Sequence, residues 1–235
     1  MEIILAPESH DIHGGRRVIQ VQQGLLGKNN KLAGRNRELF REKGLLVLNV
    51  VSSPGSGKTA LLEWTLASLA ASGVRCGVIV GDLATDNDAC RLRRAGARAA
   101  QITTGNVCHL EAAMVERAAS EMGLDGLDLL VIENVGNLVC PASYDLGEDL
   151  RVVLLSVTEG EDKPLKYPQI FKTAHIVMVS KTDLAGPAGF DRAAALNNIR
   201  RVAPQAEVFE TSARAGEGME QWCAYLRDRT CCERR

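Results

Sequence analysis

Ser52-Ser53-Pro54-Gly55-Ser56-Gly57-Lys58-Thr59 is the stretch on which the fold turns. A short apolar run, 45–51, leads into it and ends in β-branched residues. Ala60-Leu61-Leu62-Glu63-Trp64-Thr65-Leu66 follows, apolar at helical spacing. Strand, glycine-bearing loop and helix in that order make a phosphate-binding loop. Gly55 and Gly57 let the backbone curl so that successive N–H groups face inward and form an anion nest at a helix N-terminus. The segment from Pro54 to Ala60 would wrap the phosphates. Within it Lys58 would reach the β- and γ-phosphates, and the Thr59 hydroxyl would bind Mg²⁺. The written pattern has glycine six residues before the lysine; here that residue is Ser52.

Working outward, the spacing predicts further strands over 75–81, 97–102, 128–133, 151–157, 175–180 and 206–210. Helices are expected over 59–72, 88–95, 108–122, 190–202 and 217–227. Continuous Val/Ile/Leu runs suit strands buried on both faces. Strands alternating with helices make an α/β, P-loop NTPase fold with a doubly wound, mostly parallel sheet. Residues 1–27 read as a flexible N-terminal arm and 28–230 as the nucleotide-binding domain, led by a helix over 28–44 that Gly44 ends. Residues 231–235 read as a short polar tail.

The composition narrows the function. A formal net charge of −1 argues against a nucleic-acid binder driven by bulk charge. Aromatics make up 4% of the chain, too few for base-stacking platforms. No apolar run approaches the roughly 18 residues that a membrane helix needs. Met1 to Glu8 has no basic flank and too short an apolar run for a signal peptide, so the cytoplasm is expected. The seven cysteines, at 76, 90, 108, 140, 223, 231 and 232, are an odd number and do not suggest a disulfide framework. In a reducing compartment each is buried, reactive or a metal ligand.

Several acids fall at expected strand ends, where ligands sit in an open α/β sheet. Asp82 suits a Mg²⁺-facing role. Asp88 either orients a water and holds its loop or, with Asp86 and Asn87, caps the next helix. Glu133, three residues before Gly136, resembles the γ-phosphate sensor of nucleotide switches, with Gly136 allowing close approach of its N–H. Loss of that phosphate would release the following segment. Ser180-Lys181-Thr182-Asp183 resembles the guanine-specificity box of GTPases, with Ser180 where the family has Asn. The Asp183 carboxylate can accept from both N1–H and N2–H₂ of guanine, and the Lys181 stem would lie over the ring. The Ser212-Ala213 turn resembles the loop whose backbone N–H meets guanine O6. Both features oppose an ATP-dependent kinase built on the same loop.

Cys108-His109 and Cys140-Pro141 stand apart from the nucleotide motifs. Cys108 and His109 are expected to open a helix, whose N-terminus would favour the thiolate. Two thiolates and an imidazole suit Zn²⁺ or Ni²⁺. Three ligands leave a fourth position open or call for a second chain. Two unrelated buried cysteines and a capping histidine would give the same spacing. His10 and His13 have no cysteine partner and read as solvated.

Thr104-Gly105 with Cys108-His109-Leu110, the stretch from Ile132 to Pro141 and the stretch from Ser156 to Pro168 together resemble the HypB family. These are accessory GTPases that help load nickel into [NiFe]-hydrogenase. The resemblance spans roughly Lys28 to Leu226. It implies a GTP-dependent homodimer with a metal site at its interface, built from Cys108, His109 and Cys140. It also implies a HypA-type metallochaperone as partner and delivery to a hydrogenase large-subunit precursor. Slow GTP hydrolysis is expected, because no arginine finger can be identified. A close relative of the family serves urease, and a related accessory GTPase for urease or another metalloenzyme is the alternative reading. Some members carry an N-terminal Cys-x-x-Cys-x-Cys nickel site or a histidine-rich tract. Residues 1–27 contain no cysteine and only His10 and His13, so metal handling falls on Cys108, His109 and Cys140.

Overall fold

The computed structural model describes residues 13–82, 87–105 and 107–233, with side chains described from residue 24 to residue 231. Seven parallel strands form one sheet in the order β3-β2-β4-β1-β5-β6-β7. They are β1 Leu46–Val51, β2 Cys76–Asp82, β3 Arg98–Thr103, β4 Leu129–Glu133, β5 Leu150–Ser156, β6 Ile176–Ser180 and β7 Glu207–Thr211. Each lies within a residue or so of its expected place. The interior strands β1, β4, β5 and β6 are buried at every position, as their unbroken apolar runs require. The edge strands β3 and β7 are partly exposed.

Helices cover both faces: α1 His13–Glu42, α2 Lys58–Ala71, α3 Asn87–Arg94, α4 Ala112–Met122, α5 Lys163–Lys166, α6 Pro168–Lys172, α7 Arg192–Val202 and α8 Met219–Glu233. On one face α2 and α8 pack through Leu62, Leu66, Trp222 and Leu226. The Trp222 indole donates to the Thr65 hydroxyl at 3.1 Å, so the largest buried ring leaves no polar atom stranded. On the other face α1 and α4 cover Val47, Ile79, Leu130 and Ile132. A separate cluster under α6 and α7 holds Val51, Val153, Phe171 and Ile199.

Three boundaries differ from expectation. Helix α1 begins at His13 rather than 28, because its packing residues Asn29, Ala33, Asn36 and Phe40 belong to a longer continuous helix. Helix α8 runs on to Glu233 through the expected tail. Helix α4 begins at Ala112, so Cys108 and His109 precede it in an irregular loop. The cause lies in tertiary bonding: the Ala112 N–H is taken by the Asn29 side chain at 2.8 Å, and Leu110 is drawn fully into the core. His10, Leu83 to Asp86, Asn106 and the side chains of His13 and Cys232 lie outside what the structure describes.

Candidate functional site

Because every strand is parallel, all carboxyl ends open on one edge of the sheet, and the candidate residues gather there. The phosphate loop leaves β1 through Gly55 (φ 73°) and Gly57 (φ 96°), conformations that a residue without Cβ adopts freely. Ser52, in the departing position, is fully buried and accepts a hydrogen bond from Lys58 Nζ at 3.0 Å. Burial lowers the Lys58 pKa, and the surrounding carboxylates, Glu133 foremost, pull it back up.

The Thr59 hydroxyl donates to Glu133 Oε1 at 2.9 Å. Glu133 ends β4, beside β1 in register with Val50. Burial raises its pKa from an ordinary 4.5 to about 7, against the pull of Lys58 and Thr59. Its second oxygen, Oε2, is buried with no protein partner. A buried carboxylate oxygen left open beside a threonine hydroxyl is a donor set that fits a hard divalent cation such as Mg²⁺. Glu133 is thus brought beside the threonine of the phosphate loop. Asp82 ends β2, two strands from β1, and its carbonyl is met by Thr104 N at 3.0 Å. Asp88 lies in the first turn of α3, 3.7 Å from Arg91. Gly136 packs on the loop itself: a Cβ there would meet Pro54 Cα at 3.1 Å. That close approach to Pro54 accounts for the glycine.

The base side is a cleft of about 260 Å³ lined by Ser56, Gly57, Ala60, Lys181, Asp183, Ser212 and Ala213, among others. Asp183 Oδ1 accepts from the Ser212 hydroxyl at 2.6 Å, which aims the carboxylate. Lys181 holds a left-handed conformation (φ 60°) and bonds Gly55 O at 2.6 Å, laying its stem along the loop. Ser180 donates to Ser56 O at 2.8 Å, so the serine that replaces asparagine still ties the base box to the phosphate loop.

One residue here escaped the sequence reading. Glu159 follows β5 in a short 3-10 turn and accepts from the Ser56 hydroxyl at 2.9 Å. Its signal was the one used for Asp82 and Glu133, an acid at a strand's carboxyl end.

The second cluster lies where two loops meet. Cys108 Sγ and Cys140 Sγ are 2.8 Å apart across 32 residues of sequence. His109 Nδ1 is 3.9 Å from Cys108 Sγ, and ligand atoms of all three residues lie within 4.8 Å of one another. The His109 ring stacks on Tyr144 with centroids 3.9 Å apart, and its Nε2 faces Glu111 at 3.6 Å. A carboxylate on the far nitrogen is the arrangement that orients a histidine toward a metal through the near one. The Cys108 thiol beside Cys140 raises the Cys140 pKa, burial adding to it. The expected help from a helix N-terminus is absent because no helix begins there. Two sulfurs and an imidazole in reach of one centre suit Ni²⁺ or Zn²⁺. The surround is apolar and open: Leu25 and Val139 are more than half exposed beside the cluster.

Residues 46–210 match the model of the CobW/HypB/UreG nucleotide-binding domain. The chain is 51% identical over 216 residues to the hydrogenase maturation factor HypB of Escherichia coli K12, covering 92% of this chain and 74% of that one. It is 42% identical to the hydrogenase/urease maturation factor HypB of Helicobacter pylori 26695, over 90% and 88% of the two chains. The crystal structure of HypB from Helicobacter pylori in complex with nickel aligns with a TM-score of 0.81 at 43% identity. That alignment covers 86% of this chain and 95% of the other.

Proposed function

This chain belongs to the CobW/HypB/UreG family of P-loop GTPases, and from that membership we propose that it spends GTP to handle nickel during hydrogenase maturation. Service to urease instead of hydrogenase is not favoured. The relatives at about half identity are named for hydrogenase alone, and urease enters names at 42% and 43%.

One observation carries the reading: a single segment touches both sites. At its start Glu133 meets Thr59 of the phosphate loop; at its end Cys140 meets Cys108. Lys58 and the loop N–H groups would neutralise the β- and γ-phosphates, and Asp183 would select guanine. Thr59, Glu133 and Asp82 would hold Mg²⁺, which when bound supplies charge neutralisation at the phosphates. Asp88, at the start of α3, is near enough to influence Lys58 and would help order the attacking water. Turnover would be slow, with no arginine finger identified in the sequence. Cys108, His109 and Cys140 would hold the nickel cargo, or Zn²⁺, with the open fourth position facing a second copy in a GTP-dependent homodimer. A HypA-type metallochaperone and the hydrogenase large-subunit precursor would be the partners. No described helix is long and apolar enough to cross a membrane, and the cytoplasm remains the expected compartment.

Nickel titration with GDP and then with a slowly hydrolysed GTP analogue, at fixed pH and protein concentration, tests this. The two affinities should differ by about 5- to 150-fold, the usual range of such coupling, and Cys140→Ser should weaken nickel while leaving guanine nucleotide binding intact. Equal affinities in the two states would sink the shared-segment reading.

A further inference from the structure

The two ligand-bearing loops are joined by a buried amide. Asn134, directly after Glu133, is 1% exposed. Its Oδ1 accepts from Val135 N at 2.9 Å and from Leu110 N at 3.4 Å. Val135 leads on to Cys140, and Leu110 directly follows His109. One oxygen atom thus fastens the loop of Cys140 to the loop of Cys108 and His109. Two backbone donors on the same atom fix which end of the amide is oxygen. Its Nδ2 donates to Asn49 Oδ1 at 3.2 Å, and Asn49 Nδ2 donates to Glu148 at 3.0 Å.

Leu110 has a second tie to the nucleotide edge. It is fully buried, and its side chain seats against Gly81 of β2, where a Cβ would meet it at 2.8 Å. Gly81 directly precedes Asp82. The residue after His109 is therefore held between the strand end of Asp82 and the residue after Glu133.

The far side of the Cys140 loop is anchored independently. Arg151 donates to Tyr144 O at 2.9 Å and pairs with Glu148 at 2.6 Å, while Asn29 and Asn36 hold Asp145 O and Leu146 O. Residues beyond Ser143 are tied to α1, to β5 and, through Glu148 on Asn49, to β1. What remains adjustable lies between Glu133 and Cys140, and its buried clasp is Asn134.

We propose that Asn134 is the positioning residue through which the nucleotide site sets the spacing of Cys108, His109 and Cys140. The proposal rests on the shared-segment reading above. A change at Glu133 shifts the first residue of the clasp, and the shared oxygen passes that shift to both loops together.

The test compares nickel affinity ratios between the GDP and GTP-analogue states for wild type, Asn134→Ala and Asn49→Ala. Both variants remove one buried amide from the same network, so both lose stability. Only Asn134→Ala breaks the clasp, and its ratio should collapse toward one while Asn49→Ala keeps most of the wild-type ratio. Asn134→Asp retains the acceptor for both N–H groups and should retain the ratio. Hydrogen exchange of the Leu110 amide in wild type gives a reading that needs no variant to fold: its protection should differ between the two nucleotide states. A wild-type ratio of one would overturn the shared-segment reading and this proposal together. A wild-type ratio well away from one that survives in Asn134→Ala overturns this proposal alone. So does equal loss in Asn49→Ala, or unchanged Leu110 protection.

Discussion

Around the nucleotide cleft, contacts run from strand ends to the phosphate loop; around the Cys108–Cys140 pair they run between loops. Ser180 on Ser56, Lys181 on Gly55 and Glu133 on Thr59 each join a residue that ends or directly follows a strand to the phosphate loop or the first turn of α2. The sheet sets their separations, and few degrees of freedom are left. Cys108, His109 and Cys140 lie several residues beyond their strand ends, and their separations depend on side-chain amides such as Asn134 and Asn137. A site held by strand ends has few geometries open to it. A site fixed by loop amides can take two geometries, which is what a nucleotide-controlled metal site needs.

The sharpest way to break this contrast is Lys58→Ala. Loss of a preorganised cation at the phosphates should cost on the order of a hundredfold or more in GTP hydrolysis, read by phosphate release. Nickel affinity of the nucleotide-free variant should equal that of wild type. A matching loss of nickel would show that the two sites are not built separately.

Next in size is a pH effect confined to the cleft. Glu133 keeps its proton up to about pH 7 in the folded chain, against 4.5 ordinarily. The folded state then binds more protons than the unfolded one between those values, so this group's contribution falls as pH rises through 4.5 to 7. Glu133→Gln removes the penalty. Relative to wild type, the nucleotide-free variant should be more stable at pH 8 than at pH 5 by ~2–3 kcal/mol. Urea melts at the two pH values check this, and a pH-independent difference would remove Glu133 from the set of buried, cation-ready carboxylates.

The smallest effect sharpens the base side. Asp183→Asn replaces a charged acceptor aimed by Ser212 and should weaken GTP by about 1.5–3 kcal/mol. Xanthosine triphosphate, which carries a carbonyl where guanine has its amine, should gain affinity in the variant. Unchanged GTP binding in a competition titration would take base selection away from Asp183.

The nucleotide side was legible because each of its motifs is contiguous. Ser52 to Thr59 and Ser180 to Asp183 each begin where an apolar run ends, so placing the strand places the motif. Glu159 was passed over because it stands three residues past its strand, although Gly160 follows it directly. The loop of Cys108 was misread as a helix start because local periodicity continues back from 112. The bonds that end the helix at Ala112 come from Asn29, 83 residues away. The start of α1 at His13 was obscured by Gly14 and Gly15, which depress helix propensity locally, while the apolar face of α1 is satisfied only against α4 and the loop before β5.

By itself the sequence determined the seven strands, their parallel order of burial, the phosphate loop and the guanine box. Each depends on side chains near in sequence and on a backbone geometry with few alternatives. It also supplied two cysteines and a histidine suited to nickel or zinc. Only the tertiary structure decided that those three side chains meet, that Glu133 leaves an open oxygen beside Thr59, and that Asn134 binds both ligand loops at once. Such outcomes are set by which buried donor finds which acceptor across a folded sheet, and no local pattern carries that information.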